Sequence, residues 1–168
     1  MRDMANQKSF SPAEWTLLRL TPSFVSVGVS ASDRSGLFAS IREALAGARE
    51  VIEGVNKNIA LELFSALAAD RTLPDIPDVD TLLGKGSHEQ QMENFKRVAL
   101  DQVVAAVALL AERASPKECD AYRNLLVGVA DRAANASKEG SFLGFGGVRV
   151  SQKERDFIDA VKRATGLG

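Results

Sequence analysis

One histidine and one cysteine limit the chemistry open to this 168-residue chain. A metal site built on paired imidazoles needs at least two, and His88 stands alone. His88-Glu89 runs on into Gln91-Met92, so the two-histidine helix of a zinc protease is absent. His88 follows Ser87 at a helix start and is expected to be an exposed first-turn residue. Cys119 shares an apolar stripe with Tyr122. That setting reads as a core thiol, because a reactive thiolate needs an electropositive, partly open environment. Glu62, Asp131 and Glu139 are the carboxylates considered for acid–base work, and nothing in their spacing pairs them. No catalytic residue, metal ligand or cofactor is therefore expected.

A different kind of candidate is Glu139-Gly140-Ser141-Phe142-Leu143-Gly144-Phe145-Gly146-Gly147-Val148-Arg149-Val150-Ser151. It interleaves four glycines with three bulky apolar side chains, Phe142, Leu143 and Phe145. The glycines do not form a phosphate cradle, since no strand precedes them and no Lys-Ser or Lys-Thr follows Gly147. Ser151 opens a helix, whose N-terminus with Arg149 beside it is suited to an anion. Exposed, the rings would form a docking patch for a protein or a lipid surface. Packed, they would form a lid on one end of the fold, with the alanines Ala133 and Ala136 leaving room for Phe142 or Phe145. The lid is the preferred reading. Phe142, Leu143, Phe145, Arg149 and Ser151 form the candidate interaction loop in either case.

The elements around that loop read as helices. Four serines are followed three residues later by Glu or Gln: Ser11 and Glu14, Ser87 and Gln90, Ser115 and Glu118, Ser151 and Glu154. Each pair is a capping box, in which two side chains satisfy the first free N–H groups of a helix. Pro12 and Pro116 take the first helical position, where a missing N–H costs nothing. The first helix is expected over 12–20, with Trp15 and Leu18 packed inward and Pro22 interrupting the chain. In 24–31, Val25, Val27 and Val29 alternate with small residues as in a strand, for which 148–150 is the only plausible partner. Helix is preferred there.

Phe38, Ile41, Leu45, Ala48, Ile52, Val55 and Ile59 make one helical stripe. Gly54 and the polar residues 56–58 divide it into helices over 35–53 and 57–70, the second burying Ala60, Leu63, Phe64 and Leu67. Residues 71–86 read as an acidic loop with Asp75, Asp78 and Asp80 and without the spacing of a calcium site. Leu82 and Leu83 are expected to tuck down in a short turn. The helix after Ser87 buries Met92, Phe95, Ala99, Val103, Ala106 and Leu110. Val98, Val104, Val107 and Leu109 widen that stripe, which marks the helix as central. It forms an antiparallel hairpin with the helix after Ser115, which buries Cys119, Tyr122, Leu126, Val129, Ala133 and Ala136. A last helix over 152–164 buries Phe157, Ile158 and Val161 and stops at Gly166.

The expected fold is all-α: one domain, residues 1–168, with about six to seven helices in a bundle and an ordered Gly-rich loop before the last. Residues 1–10 are expected to be flexible. Such a length buries roughly 70% of the unfolded surface. The formal net charge of -1 argues against a phosphate-backbone binder, so no nucleic-acid partner is expected. The longest apolar run, 98–111, is broken by Asp101 and Gln102 and falls short of the ~20 residues of a membrane span. One cysteine and a polar start without a signal core fit a soluble cytoplasmic protein.

The 139–151 segment with Glu154 resembles the signature of a family of small bacterial proteins of unassigned function. Ser11-Pro12-Ala13-Glu14-Trp15 and Asp33-Arg34-Ser35-Gly36-Leu37 resemble it as well. Members carry a second glycine where this chain has Ser141. The resemblance implies an all-helical fold and no known activity. More distantly, the chain is similar to the TerB-like tellurite-resistance domains, with Ser30-Ala31-Ser32-Asp33-Arg34-Ser35-Gly36 and Asn135-Ala136-Ser137-Lys138-Glu139-Gly140 as degenerate turns. Asp-Gly pairs are absent from both, so no metal ligands carry over.

These readings converge on a non-enzymatic bundle acting through protein contacts, with a protein partner or a second copy of itself. The alternative is a TerB-like, stress-associated protein that binds an ion or a small anion. An enzyme relying on carboxylates alone is the third reading.

Overall fold

Pro22 does not interrupt the first helix. In a computed structural model that describes residues 5–30, 41, 45, 60–139 and 150–168, α1 (Pro12–Ser30) continues past it for two more turns. A proline inside a helix withholds the N–H that would bond the carbonyl four residues back, a loss of ~3 kcal/mol or more. Here that carbonyl belongs to Leu18, and the Tyr122 hydroxyl donates to it at 2.7 Å. The Thr21 hydroxyl donates to the neighbouring Leu17 carbonyl, also at 2.7 Å. The helical reading of 24–31 holds as far as Ser30. Val25, Val27 and Val29 mimic strand alternation because nearly every face of α1 is covered, so the usual amphipathic period is lost.

Among the described residues five further α-helices follow: α2 (Glu62–Ala69), α3 (Val79–Leu83), α4 (His88–Arg113), α5 (Pro116–Glu139) and α6 (Gln152–Thr165). The architecture is an all-α, single-domain bundle with one continuous apolar core. The most completely buried rod is α1, which packs against α4, α5 and α6 at once. The central place expected for α4 is borne out by its packing against α1, α3, α5 and α6, although fewer of its residues are buried than of α1. Its main stripe from Met92 to Leu110 is buried as expected, but Val104 is exposed, and Val98, Val107 and Leu109 are only partly covered. Those valines and leucines widen the apolar stripe without being enclosed.

All four capping boxes form. Ser11 and Glu14, Ser87 and Gln90, Ser115 and Glu118, and Ser151 and Glu154 exchange the expected pairs of hydrogen bonds. Cys119, Tyr122, Leu126, Val129 and Ala133 line the buried face of α5, and Phe157, Ile158 and Val161 that of α6. Gly166, at φ +76°, ends α6 in the left-handed conformation that favours glycine. Leu63, Phe64 and Leu67 are buried on α2, and Leu82 and Leu83 on α3. Ala60 is exposed instead of buried, since it precedes the first turn of α2 and takes no part in its stripe. Ile41 and Leu45 are helical and buried. The rest of the 38–59 stripe and its division at Gly54 lie outside the described residues.

Gly28 marks a close approach between α1 and α6. A Cβ there would stand 2.5 Å from the Phe157 ring, so the absence of a side chain on α1 lets that ring lie directly on its backbone.

The stretch expected to be flexible is tied down from Ala5 onward. Asn6 caps a 3₁₀ turn, Gln7–Ser9, and Phe10 stacks on Trp15 with ring centroids 6.0 Å apart. The 135–140 turn inferred from the TerB-like resemblance is not a turn over 135–139, because α5 runs through to Glu139. No helix among the described residues is long and apolar enough to cross a membrane.

Candidate functional site

Of the candidate interaction loop, Phe142, Leu143, Phe145 and Arg149 lie outside the described residues. Ser151 is the N-cap of α6: its hydroxyl accepts from the Glu154 N–H at 3.1 Å, and its own N–H donates to Glu154 Oε2 at 2.8 Å. Glu154 is buried, so the α6 N-terminus already holds a carboxylate of its own chain. His88 is half-buried at the first position of α4. Cys119 is a buried core thiol. Glu62 accepts from Asn6 Nδ2 at 2.8 Å, and Asp131 lines a cleft of about 650 Å³ between α5 and α6 beside Arg155 and Lys162. No group of three or more His, Cys, Asp or Glu able to hold a metal occurs among the described residues.

The structure draws together a different set, from α1 and the chain that leaves α2. Trp15 and Arg19 sit four residues apart and so share one face of α1. Both reach Asp70, the C-cap of α2. The Trp15 indole N–H donates to Asp70 Oδ2 at 2.8 Å, and Arg19 Nη1 lies 3.3 Å from the same oxygen. The N–H and hydroxyl of Thr72 donate to Asp70 Oδ1 at 2.9 and 2.6 Å. Arg19 also donates to the Thr72 hydroxyl at 3.1 Å and to the Thr72 carbonyl. The Arg19 and Asp70 side chains are each only 7% exposed. A desolvated pair of this kind persists only when the remaining donors and acceptors are also matched, as they are here. Burial pushes the Asp70 carboxyl upward. The Thr72 hydroxyl, the Trp15 indole, the Thr72 amide and the Arg19 charge outweigh it and hold the group below the usual carboxylate range.

A second buried carboxylate fixes the opposite wall. Glu118 is fully buried and accepts from the Ala5 N–H at 3.1 Å, the Leu63 N–H at 3.1 Å, the Ser115 N–H at 3.0 Å and the Ser115 hydroxyl at 2.7 Å. Leu61, the N-cap of α2, has no side chain able to cap, so Glu118 supplies that acceptor from another helix. The same carboxylate thereby pins the N-terminal arm to the bundle. Arg113 adds a bond to the Ser9 carbonyl at 3.2 Å and an ion pair with Glu14 at 3.2 Å.

Between the pinned arm and the anchored 70–75 segment lies a cleft of about 460 Å³. Phe10, Pro12 and Trp15 supply apolar lining, and Lys8 and Asp75 stand exposed on its edge. Leu73 projects from the rim and is 84% exposed. Pro74 and Pro77 restrict the segment that carries it. Sequence reasoning treated Trp15 as a packing residue, which it is, and passed over its partners. Two signals were present: Arg19 is a lone charge between Leu18 and Leu20, and Asp70-Arg71-Thr72 has the composition of a side-chain-capped turn.

Compared with family models, curated proteins and solved structures, the chain matches none.

Proposed function

We propose that the chain is a non-enzymatic helical-bundle module that works through protein contacts, and that the cleft between the N-terminal arm and residues 70–75 is its docking surface. The observation that carries this is the setting of Leu73. A single exposed leucine is ordinary on a protein surface. This one stands on a proline-restricted segment, anchored by a buried ion pair, at the edge of a cleft where Phe10, Pro12 and Trp15 are interleaved with the polar Gln7, Ser11 and Thr16. Covering a leucine is worth about 1.5–3 kcal/mol. A segment stiffened before binding loses less entropy when a partner orders it. Both favour a protein surface as the occupant. The one cysteine, buried as a thiol, supports a cytoplasmic setting.

A photo-activatable cross-linker at position 73 tests the reading in cells that make the protein. Discrete protein adducts at position 73, and none from the same group at exposed Asp101 on α4, are the expected result. Equal labelling at both positions, or none at either, counts against it.

A further inference from the structure

We propose that the Met4–Ala5 peptide bond is a processing site. Translation starting at Met4, followed by removal of that methionine, leaves Ala5 as the amino terminus, and its ammonium pairs with Glu118. The Ala5 nitrogen lies between the two carboxylate oxygens, 3.2 Å from Oε1 and 3.1 Å from Oε2. Both residues are buried. A single amide N–H must divide itself between two such acceptors. An ammonium has three N–H groups and gives each oxygen its own, with the charge added.

The surroundings of Glu118 carry the argument further. Its other donors are the Leu63 N–H, the Ser115 N–H and the Ser115 hydroxyl, all neutral. Among the described residues no Lys, Arg or His forms an ion pair with it. Asp70, the other carboxylate that anchors this region, has the Arg19 guanidinium at 3.3 Å. A carboxylate withdrawn from water is costly to keep ionised when no opposite charge accompanies it. Of the groups that donate to Glu118, the Ala5 nitrogen alone becomes a cation without dividing the bundle. A cut before Ala5 removes only Met1-Arg2-Asp3-Met4, whereas one before Leu63 or Ser115 would split the core.

The sequence at this bond suits an aminopeptidase that removes initiating methionine. Such an enzyme needs a small side chain after the methionine, and alanine supplies it. It acts on the nascent chain, before Ala5 is buried. Water adds across the C–N bond: the methionine leaves as a free carboxylate, and the Ala5 nitrogen gains protons to become the ammonium. The charge thus appears next to the acceptor that the folded bundle holds in place.

The test begins with the intact mass of the protein recovered from cells that make it from the natural gene. The mass of residues 5–168 is expected; a chain that keeps Met4 or anything before it overturns the inference. Pairing is tested by urea melts of the 5–168 chain and of the 1–168 chain carrying Met4→Leu, which starts only at Met1. The shorter chain should have a folding constant larger by about tenfold, and Glu118→Gln should shrink that ratio. Equal stability, or a ratio that Glu118→Gln leaves unchanged, overturns the pairing. Should Glu118→Gln prevent folding, labelling of the 5–168 chain by an N-hydroxysuccinimide ester at neutral pH decides: the Ala5 amine should react about tenfold more slowly in the folded chain than in urea, and equal rates refute the pair.

Discussion

The hydroxyl of Tyr122 on α5 donates to the carbonyl of Leu18 on α1 at 2.7 Å, the carbonyl that Pro22 deprives of its helical donor. Tyr122 is fully buried, and burial raises its phenol far above the ordinary range, so it stays a protonated donor. Removing it by Tyr122→Phe leaves a buried carbonyl unmatched, and a loss of about 1–3 kcal/mol is expected. In a Pro22→Ala background the new N–H restores the helical donor, and the same substitution should cost about 1 kcal/mol or less. Urea midpoints of the four proteins complete the cycle. Equal costs in both backgrounds would show that the hydroxyl does not stand in for the missing amide.

Gly28 and Phe157 give a prediction whose sign reverses. Alanine is the better helix former by about 1 kcal/mol. Against Phe157, however, its methyl group enters space the ring already fills, and overpacking costs about 1–3 kcal/mol. Gly28→Ala should therefore destabilise the parent and stabilise a Phe157→Leu variant. Thermal unfolding of both pairs decides it. The same direction in both backgrounds would mean that the contact does not govern this position.

Glu118→Gln keeps size and shape but gives up one acceptor oxygen for an amide facing N–H and O–H donors. The expected loss is about 2–4 kcal/mol, well above that of a surface change. Amide exchange should locate it, with protection falling first at Ala5 and Leu63. A substitution that leaves both amides protected would show that the arm and α2 are held by other contacts.

Asp70 links stability to pH. Its folded carboxyl lies below its unfolded value, so its contribution is fully present above about pH 4 and is lost as pH falls through the folded value. Asp70→Asn should be less stable than the parent at neutral pH, with the gap narrowing in acid as the pH falls below about 4. Denaturant melts at neutral pH and below about pH 4 measure both gaps. A gap that persists unchanged in acid would mean that the ionised form is not what anchors the 70–75 segment.

Much of the fold was legible in the sequence because its rules act within one or two helical turns. A serine with Glu or Gln three residues on, an apolar residue every third or fourth position, and a glycine after the last turn mark α4, α5 and α6 by their own local geometry. Local rules also account for the misreadings. Pro22 breaks a helix when judged by its neighbours alone, yet the donor that rescues its helix comes from residue 122, 104 positions from the carbonyl it reaches. Likewise α4 read as the helix covered on most faces by its apolar count, whereas α1 is the one buried along most of its length.

The cleft between the N-terminal arm and residues 70–75 belongs with those long-range features. Its walls depend on Trp15 and Arg19 meeting Asp70, and on Glu118 meeting Ala5 and Leu63, pairs separated by 51 to 113 positions (19 to 70, 5 to 118). Helix type and helix ends were written in the order of residues, because a turn of helix is completed by atoms a few positions apart. Which helix lies innermost, which carbonyl receives a borrowed hydroxyl and which charge is buried were decided only when distant segments packed together, because burial turns an unmatched polar atom from a neutral detail into a loss of one to several kcal/mol, on the order of the stability of the whole domain.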